Sequence, residues 1–251
     1  LCTYCNDKLV RSYVYDDSGN RIKSEQDGEK IFYKYNSIDQ LVETRHGDDI
    51  TKYTYDKNGN LILISENETK KTRYVYDSRN RMTEKIKSNG SHIEYMYDAM
   101  NNLTGIKEDG KYTKLWIDYT RSYDNIIGMS ADDKVKEFIR ANGLIGMRYD
   151  SESYAVLTDA IGSITKVIDT NFDIKEHHSY DEFGNDLCDS EEARVQNFGF
   201  AGVFLDDRLY HMKYRKYDTS IGRFLEEDPV ESEENWYIYA SDNPLKYVDP
   251  L

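Results

Sequence analysis

The chain has 251 residues, including 23 Tyr and 8 Phe, and 38% of the residues are hydrophobic, which is enough to bury a core. No stretch approaches the roughly 18 consecutive apolar residues that a membrane-spanning helix needs, so a helical span is excluded for this segment. The 33 Lys and Arg against 47 Asp and Glu give a net charge of -14, which repels phosphate backbones and excludes nucleic acid as a general partner.

Residues 1–12 are predicted to form an N-terminal edge segment. The chain begins at Leu1 without a Met and without a charged-then-apolar leader, so we expect it to be a piece of a longer polypeptide. The missing leader therefore says nothing about secretion of the parent protein.

The chain has 3 cysteines, which are too few for disulfide bonds to stabilise a fold of this size. Cys2 and Cys5 form a Cys-x-x-Cys pair, for which a redox pair or half a zinc site is the alternative to a structural role. No second such pair exists, and Cys188 with His177 or His178 could complete four ligands only through long-range folding. We therefore predict no metal and no cofactor.

An aromatic-x-Tyr-Asp unit, followed by a turn and an aliphatic residue, recurs through residues 13–110. Two aromatic residues at i and i+2 face the same side of a strand, and the Asp, Asn and Gly that follow supply turn chemistry. Each unit is predicted to be a β-hairpin, and hairpins must stack because a lone one is marginally stable. The second tyrosines, at steps of 20, 20, 21 and 21 residues, would then form a ladder: Tyr15, Tyr35, Tyr55, Tyr76 and Tyr97.

The Asp after the second tyrosine is predicted to begin each turn, at Asp16, Asp56, Asp77 and Asp98. A Ca2+ site is the alternative, although no copy supplies the dense carboxylate spacing of calcium loops. Residues 111–196 are predicted to add further strands with one degenerate repeat, Ser-Tyr-Asp-Glu-Phe-Gly-Asn at 179–185. Within them, the stretch 132–141 could form a helical turn or two.

The Tyr-Asp repeats resemble the YD repeats of Rhs proteins, of the C subunits of insecticidal Tc toxins and of teneurins. Residues 154–164 and 179–184 are similar to the segment that precedes the Rhs-associated core. Phe-Gly-Phe-Ala-Gly at 198–202, the run 214–229 that ends Gly-Arg-Phe-Leu-Glu-Glu-Asp-Pro, and the motifs within 236–250 are similar to the core itself. The resemblance covers residues 10–251.

The resemblance implies an all-β fold, in which YD-repeat hairpins form an arc of a spiralling β-sheet shell and residues 197–251 form a plug, the Rhs-associated core. It also implies the partners: upstream YD repeats of the same chain, a C-terminal effector or toxin segment that the shell encloses, and secretion-system or surface partners. Secretion or display at the cell surface would suit such a protein.

In the family the core cuts the chain after the Leu of a terminal Asp-Pro-x-Gly-Leu, and here the sequence reads Asp249-Pro250-Leu251 and stops. Either the sequence is trimmed just before the cut point, which we favour, or this member has a degenerate end that is not cut. Arg215 and Asp228 match positions that are essential in the family, and Asp249 matches the Asp of the cleavage motif. Two carboxylates that share one proton can act as base and acid in peptide hydrolysis, and an arginine can hold one of them ionised or stabilise an oxyanion.

Two other interpretations stay open. Asp228-Pro229 and Asp249-Pro250 are also ordinary turn formers, and Arg215 could simply pair with an acid at a strand end. At the level of function, the alternative is a non-enzymatic surface or adhesion module that binds carbohydrate or protein through exposed tyrosines and acidic loops.

Overall fold

A computed structural model of the protein describes residues 2–5, 8–121, 125–188, 195–230, 234–244 and 246–247. These residues form strands and turns without an α-helix, together with 3-10 turns at Phe200–Gly202 and Ala240–Asp242, so the predicted all-β fold is confirmed. They cluster into two compact units, one that reaches His92 and resumes at Arg223, and one that spans Ile93–Gly222. No helix in these ranges has the length and apolar character to cross a membrane.

Strands of the first unit follow one another in antiparallel pairs, each strand beside the next one along the chain. Their bounds are β1 (Cys2–Cys5), β2 (Lys8–Tyr15), β3 (Arg21–Gln26), β4 (Glu29–Tyr35), β5 (Leu41–His46), β6 (Asp49–Tyr55), β7 (Leu61–Glu66), β8 (Lys70–Tyr76) and β9 (Met82–Lys87).

The second unit contains strands in the same antiparallel order, from β10 to β18, and then a small sheet of short strands in which β19, β20 and β21 pair in sequence. The bounds are β10 (His92–Tyr97), β11 (Leu103–Glu108), β12 (Lys111–Ile117), β13 (Ile126–Ala131), β14 (Lys134–Ala141), β15 (Gly143–Tyr149), β16 (Glu152–Thr158), β17 (Ile164–Asp169), β18 (Ile174–His177), β19 (Leu205–Asp206), β20 (Leu209–Met212) and β21 (Arg215–Asp218). One more short strand, β22 (Arg223–Phe224), opens the C-terminal segment of the first unit.

The turn after each Tyr-Asp pair has the same construction in every repeat. Asp56 Oδ1 accepts the backbone N–H groups of Asn58 and Asn60, each at 2.9 Å, which is the local bonding that favours Asp at a turn. The fourth residue of the turn has a positive φ, as at Gly59 with φ +77°. Equivalent bonds begin the turns at Asp16, Asp77, Asp98 and Asp181. The structural role predicted for these aspartates is confirmed.

The tyrosine ladder is built from both members of each pair. The first tyrosine is the more deeply buried, with Tyr33 8% and Tyr74 4% exposed, whereas the second is half-buried and follows a bulge in the strand pairing. The hydroxyl of the second tyrosine reaches back to the preceding hairpin: Tyr35 donates to the Arg21 carbonyl at 2.9 Å and Tyr76 to the Leu61 carbonyl at 3.0 Å. At Tyr35 and Tyr76 this hydrogen bond joins successive repeats.

Two details of residues 111–196 differ from the sequence prediction. The expected helical turn within 132–141 is wrong, because Lys134–Ala141 is strand β14, with Phe138 buried and its two neighbours exposed. Hydrogen-bonded pairing of β14 with strands on both sides outweighs the local helical propensity of these residues. The repeat turn also recurs at Asp159 and Asp169, where the sequence lacks a Tyr-x-Tyr signal.

Candidate functional site

Asp228, one predicted catalytic acid, lies four residues after β22 in the first unit and is half-buried. Its backbone N–H donates to the Trp236 carbonyl at 3.1 Å, and its Oδ1 accepts the Val230 N–H at 2.9 Å. One oxygen of this carboxylate is thus engaged in its own turn.

Arg215 opens strand β21 in the second unit, where it is half-buried and pairs in register with Met212. Asp249, the third predicted catalytic residue, and the Asp249-Pro250 peptide lie outside the described residues. The catalytic assignment of Arg215, Asp228 and Asp249 therefore stays a prediction.

A different arginine occupies the centre of the polar core of the first unit. Arg223 is 3% exposed, and its guanidinium donates to Asn20 Oδ1 at 3.2 Å, to the Asp39 carbonyl at 2.8 Å and to Asn235 Oδ1 at 2.9 Å. Its charge also lies 4.8 Å from the centre of the Tyr35 ring, a cation–π arrangement. Burial raises the pKa of Tyr35 to about 12 although Arg223 acts in the opposite direction.

Asn20 and Asp39 belong to the turns of the first two repeats, whereas Arg223 and Asn235 belong to the C-terminal segment. Asn235 Nδ2 also donates to Asn20 Oδ1, at 2.8 Å. Asn20 Oδ1 therefore accepts hydrogen bonds from both side chains of the C-terminal segment. A buried cation is tolerated when its N–H groups are satisfied in this way. This network, Arg223 with Asn20, Asp39 and Asn235, anchors the C-terminal segment on the repeat turns.

Tyr237 extends the anchor to the third repeat. Its ring is 1% exposed and meets Tyr55 edge to face at 5.7 Å between centroids. Its hydroxyl lies 2.9 Å from the Gly59 carbonyl oxygen and 3.0 Å from Glu227 Oε1, and it accepts the Gln40 amide at 3.0 Å. Burial, with the neighbouring Glu227 carboxylate, raises the pKa of this phenol far above its ordinary range, so Tyr237 stays a neutral hydrogen-bond donor.

The three consecutive acids of the C-terminal segment thus have different environments. Glu226 is 3% exposed and lies beside Tyr76, whose pKa is raised by burial and by this carboxylate. Glu227 is held by Tyr237, and Asp228 is half-buried at its turn. Of these three acids the sequence motif indicated Asp228 alone. It gave no sign of the roles of Arg223, Glu226 and Asn235, because only burial against distant turns distinguishes these residues.

A second polar cluster is in the other unit and is centred on His178, which is 7% exposed. Its Nδ1 lies 2.6 Å from Asp186 Oδ2 and its Nε2 lies 3.0 Å from Glu176 Oε2. Gln196 and the Val195 N–H also donate to Glu176. In the described part of the chain, no three His, Cys, Asp or Glu side chains are placed to share a metal ion, and His178 is bound by carboxylates.

This cluster predicts a pH dependence of stability. Burial alone would raise the pKa of Glu176, but hydrogen bonds from His178, Gln196 and Val195 outweigh it, and the folded pKa lies below the ordinary 4.5. Glu176 therefore stabilises the fold at and above its unfolded pKa, and this contribution is lost as the pH falls through the lower folded value. We expect Glu176→Gln to cost about 2 kcal/mol at neutral pH and less in acid, measured by urea unfolding across the acid range.

The control for this experiment is Glu137→Gln, an exposed carboxylate on β14. It should leave the free energy of unfolding within about 0.5 kcal/mol of the parent at every pH. Equal curves for Glu176→Gln and Glu137→Gln would contradict the assignment of acid sensitivity to the His178 cluster.

In comparison with known proteins, the family model of the Teneurin YD-shell matches residues 1–245, which is nearly the whole chain. The tRNA3(Ser)-specific nuclease WapA of Bacillus spizizenii is 28% identical over 264 aligned residues, which cover 99% of this chain and 9% of that protein. Among solved structures, TcdB2-TccC3-TEV aligns over 97% of the chain with a TM-score of 0.56 and 15% identity.

The Tc holotoxin pore of Photorhabdus luminescens aligns over 98% of the chain, with a TM-score of 0.55 and 15% identity. In both solved structures this chain spans 17% of the matching chain. At 15% identity, the similarity to these two structures concerns the fold alone. The antiparallel hairpins of this fold are those that the repeats predict.

Proposed function

Since the chain belongs to the teneurin YD-shell family, we propose that it is part of a hollow toxin-type shell that encloses a C-terminal effector and releases it by cutting its own chain. In this proposal the hairpins supply the wall, and the segment from residue 197 onward supplies the plug and the cleavage machinery. Secretion or surface display would bring such a shell to another cell.

The observation that carries the proposal is the anchoring of the C-terminal segment on the repeat turns. Arg223, Asn235 and Tyr237 fix this segment with hydrogen bonds to Asn20, the Asp39 carbonyl and the Gly59 carbonyl oxygen. A reaction in which a chain cuts itself depends on holding the reacting groups in one geometry. The network provides that rigidity around Asp228, five residues from Arg223.

The chemistry proposed is aspartyl-type hydrolysis in cis, with Asp228 and Asp249 as the paired acids. One carboxylate would take a proton from water as the water oxygen attacks the peptide carbonyl, and the other would protonate the leaving amine as the C–N bond breaks. Arg215 would hold one carboxylate ionised or stabilise the oxyanion of the tetrahedral intermediate. The dyad titrates as a pair, and each molecule reacts once.

The test is to extend the chain past Leu251 with Gly-Leu and a reporter domain, with upstream repeats supplied. If the proposal is right, the purified parent protein consists of two fragments. The variants Asp228→Asn and Arg215→Ala should each accumulate the uncut chain. The cleaved fraction is measured on denaturing gels, and the new C-terminus by mass spectrometry. Losing one member of such a dyad lowers the rate by about a hundredfold or more.

The matched control is Asp218→Asn, a half-buried acid whose Oδ1 accepts the Ser220 N–H at 2.9 Å. Asn can make the same turn bond, so this variant should cleave like the parent. Cleavage that persists in Asp228→Asn and Arg215→Ala would show that other residues cut the chain. A parent chain that stays whole would instead favour the non-enzymatic surface module.

A further inference from the structure

Two aromatic side chains of β12, in the second unit, lie against the sheet over glycines of the neighbouring strands. Tyr112 leans over Gly105 on β11, where a Cβ would lie 2.7 Å from both the hydroxyl oxygen and Cε2 of the ring. Trp116 leans over Gly128 on β13, where a Cβ would lie 3.0 Å from Trp116 Cε3. Each ring therefore occupies space that any side chain other than glycine would fill.

The rings, and not the backbone, account for these glycines. Neither Gly105 nor Gly128 has a positive φ, so other residues could adopt the same backbone conformation. Glycine inside a strand weakens a sheet, and an aromatic ring packed over it restores part of the loss. That packing uses one side of each ring. The other side faces solvent, since Tyr112 is 46% exposed and Trp116 is half-buried.

An acid and an arginine follow Trp116 on the same face of the sheet. The pairing register continues from Gly128 to Glu137 on β14 and from Glu137 to Arg148 on β15, and residues opposite each other in antiparallel strands share a face. Both charged side chains are exposed. Neighbouring strands are about 4.8 Å apart, so Glu137 is one strand beyond the glycine that the indole covers. The surface is an aromatic plate bordered by hydrogen-bonding groups.

This combination matches the chemistry of a sugar ring. In a pyranose with equatorial substituents, C–H groups point to both faces and hydroxyls surround the rim. The negative face of an aromatic ring attracts such C–H groups, while a carboxylate accepts from hydroxyls and a guanidinium donates to them. Glu137 and Arg148 would keep spare acceptor and donor sites even when bonded to each other, so the site does not require either to be unpaired.

A peptide or an anionic ligand fits this surface less well. A peptide that extends a sheet needs a free strand edge, whereas β12 is paired with β11 on one side and β13 on the other. A proline-rich peptide needs an aromatic-lined groove, whereas Tyr112 and Trp116 lean to opposite sides of β12. The net charge of -14 disfavours an anionic ligand, which leaves a neutral one.

From these features we propose that this face of the second unit binds a neutral glycan, with Trp116 stacking on one pyranose ring and with Glu137 and Arg148 bonding its hydroxyls. Tyr112 supplies a second plate about 13 Å from Trp116 along the strand, so a chain of several sugar units reaches both. The site is independent of self-cleavage, and a shell that cuts its own chain would carry it equally.

The experiment titrates cellohexaose, chitohexaose and, as a peptide probe, hexaproline separately into the full chain. Both sugars consist of pyranose rings with equatorial substituents. The readout is the indole N–H signal in the NMR spectrum that is absent from Trp116→Phe, and the signal of Trp236, in the first unit, is the internal reference. We expect at least one of the two sugars to shift the Trp116 signal saturably and hexaproline to leave it unchanged.

Variants then test each part of the site. Trp116→Ala should weaken the sugar affinity about tenfold or more, and Glu137→Ala, at an exposed position that leaves both rings in place, should weaken it about tenfold through the loss of a charged acceptor. The matched control is Phe172→Ala, because Phe172 is an aromatic residue that is 87% exposed between β17 and β18. This control should bind the sugar like the parent.

Gly105→Ala separates the position of a ring from its presence. All three atoms that lie closest to the new Cβ belong to Tyr112, so this ring must lift from the sheet while both rings stay in the chain. We expect the affinity for the hexamer to fall a few-fold, with the free energy of unfolding close to that of the parent.

Three results would each overturn the proposal. One is that neither sugar gives a saturable shift of the Trp116 signal. Another is that Glu137→Ala and Phe172→Ala both bind the sugar like the parent. The third is saturation by hexaproline alone, which would assign this surface to a peptide.

Discussion

Replacing Arg223 with Met is expected to lower the free energy of unfolding by about 3–5 kcal/mol, the range for breaking a buried charged network. Met keeps the apolar length of the side chain but cannot donate. The Asp39 carbonyl then loses its donor from Arg223, and Asn20 Oδ1 and Asn235 Oδ1 each lose a charge-assisted bond. Buried acceptors that lose a partner carry a desolvation penalty of about 1–3 kcal/mol each.

The measurement is urea unfolding, with hydrogen exchange of the backbone amides of residues 234–244 as a local readout. Arg45→Met is the matched control, because Arg45 is an exposed arginine on β5 whose side chain is 54% accessible, and it should cost less than about 0.5 kcal/mol. A cost for Arg223→Met no larger than that of the control would contradict an anchoring role. Under the proposed function, the same variant should also slow self-cleavage, because the segment around Asp228 loses its fixed position.

Replacing Gly59 with Ala is expected to cost about 3 kcal/mol, although Gly19→Ala at the equivalent turn position costs about 1 kcal/mol. Both glycines have nearly the same backbone conformation, with φ +77° and +78°. The free-energy cost of placing Ala in this left-handed conformation is therefore similar at the two positions. The difference is the space around them. A Cβ at Gly59 would lie 2.2 Å from Glu227 Cδ, whereas the nearest atom to a Cβ at Gly19 is Asp242 Oδ2 at 3.7 Å.

Glu227 is a flexible side chain, but in moving away it would break its 3.0 Å contact with the Tyr237 hydroxyl. A double-mutant cycle separates these contributions. In a Glu227→Ala background the clash is absent, and Gly59→Ala should then cost about as much as Gly19→Ala. If Gly59→Ala costs the same with and without Glu227, the close approach between this turn and the C-terminal segment does not exist. Thermal or urea unfolding of the four variants provides the data.

The local structure of the repeats could be predicted from the sequence because it depends on neighbours along the chain. Tyr-x-Tyr-Asp followed by Gly or Asn predicts a strand, an Asp-initiated turn and a residue with positive φ, and the bonds from Asp56 to Asn58 and Asn60 confirm it. Where the signal is absent, as at Asp169, the same turn was missed. Where local propensity suggested a helical turn, at 132–141, pairing with β13 and β15 produced a strand.

The motif of the sequence selected Asp228 as a catalytic candidate, and that role stays a prediction. What the structure does show is that its side chain caps a turn, as the structural interpretation expected. The sequence offered no reason to prefer Arg223 over Arg215 as a buried residue, since both are arginines in short polar strands. The distinction depends on which of them meets the turn residues Asn20 and Asp39, about two hundred positions earlier.

The sequence by itself therefore determined the repeat and the hairpins, since these follow from spacing and short-range hydrogen bonding, and the resemblance of its motifs indicated the family. Only the tertiary structure decided which polar groups are buried together: the guanidinium of Arg223 among repeat turns and the imidazole of His178 between two carboxylates. The physical reason is that desolvation and Coulomb interaction depend on distance in space, and residues far apart in the sequence become neighbours only when the chain has folded.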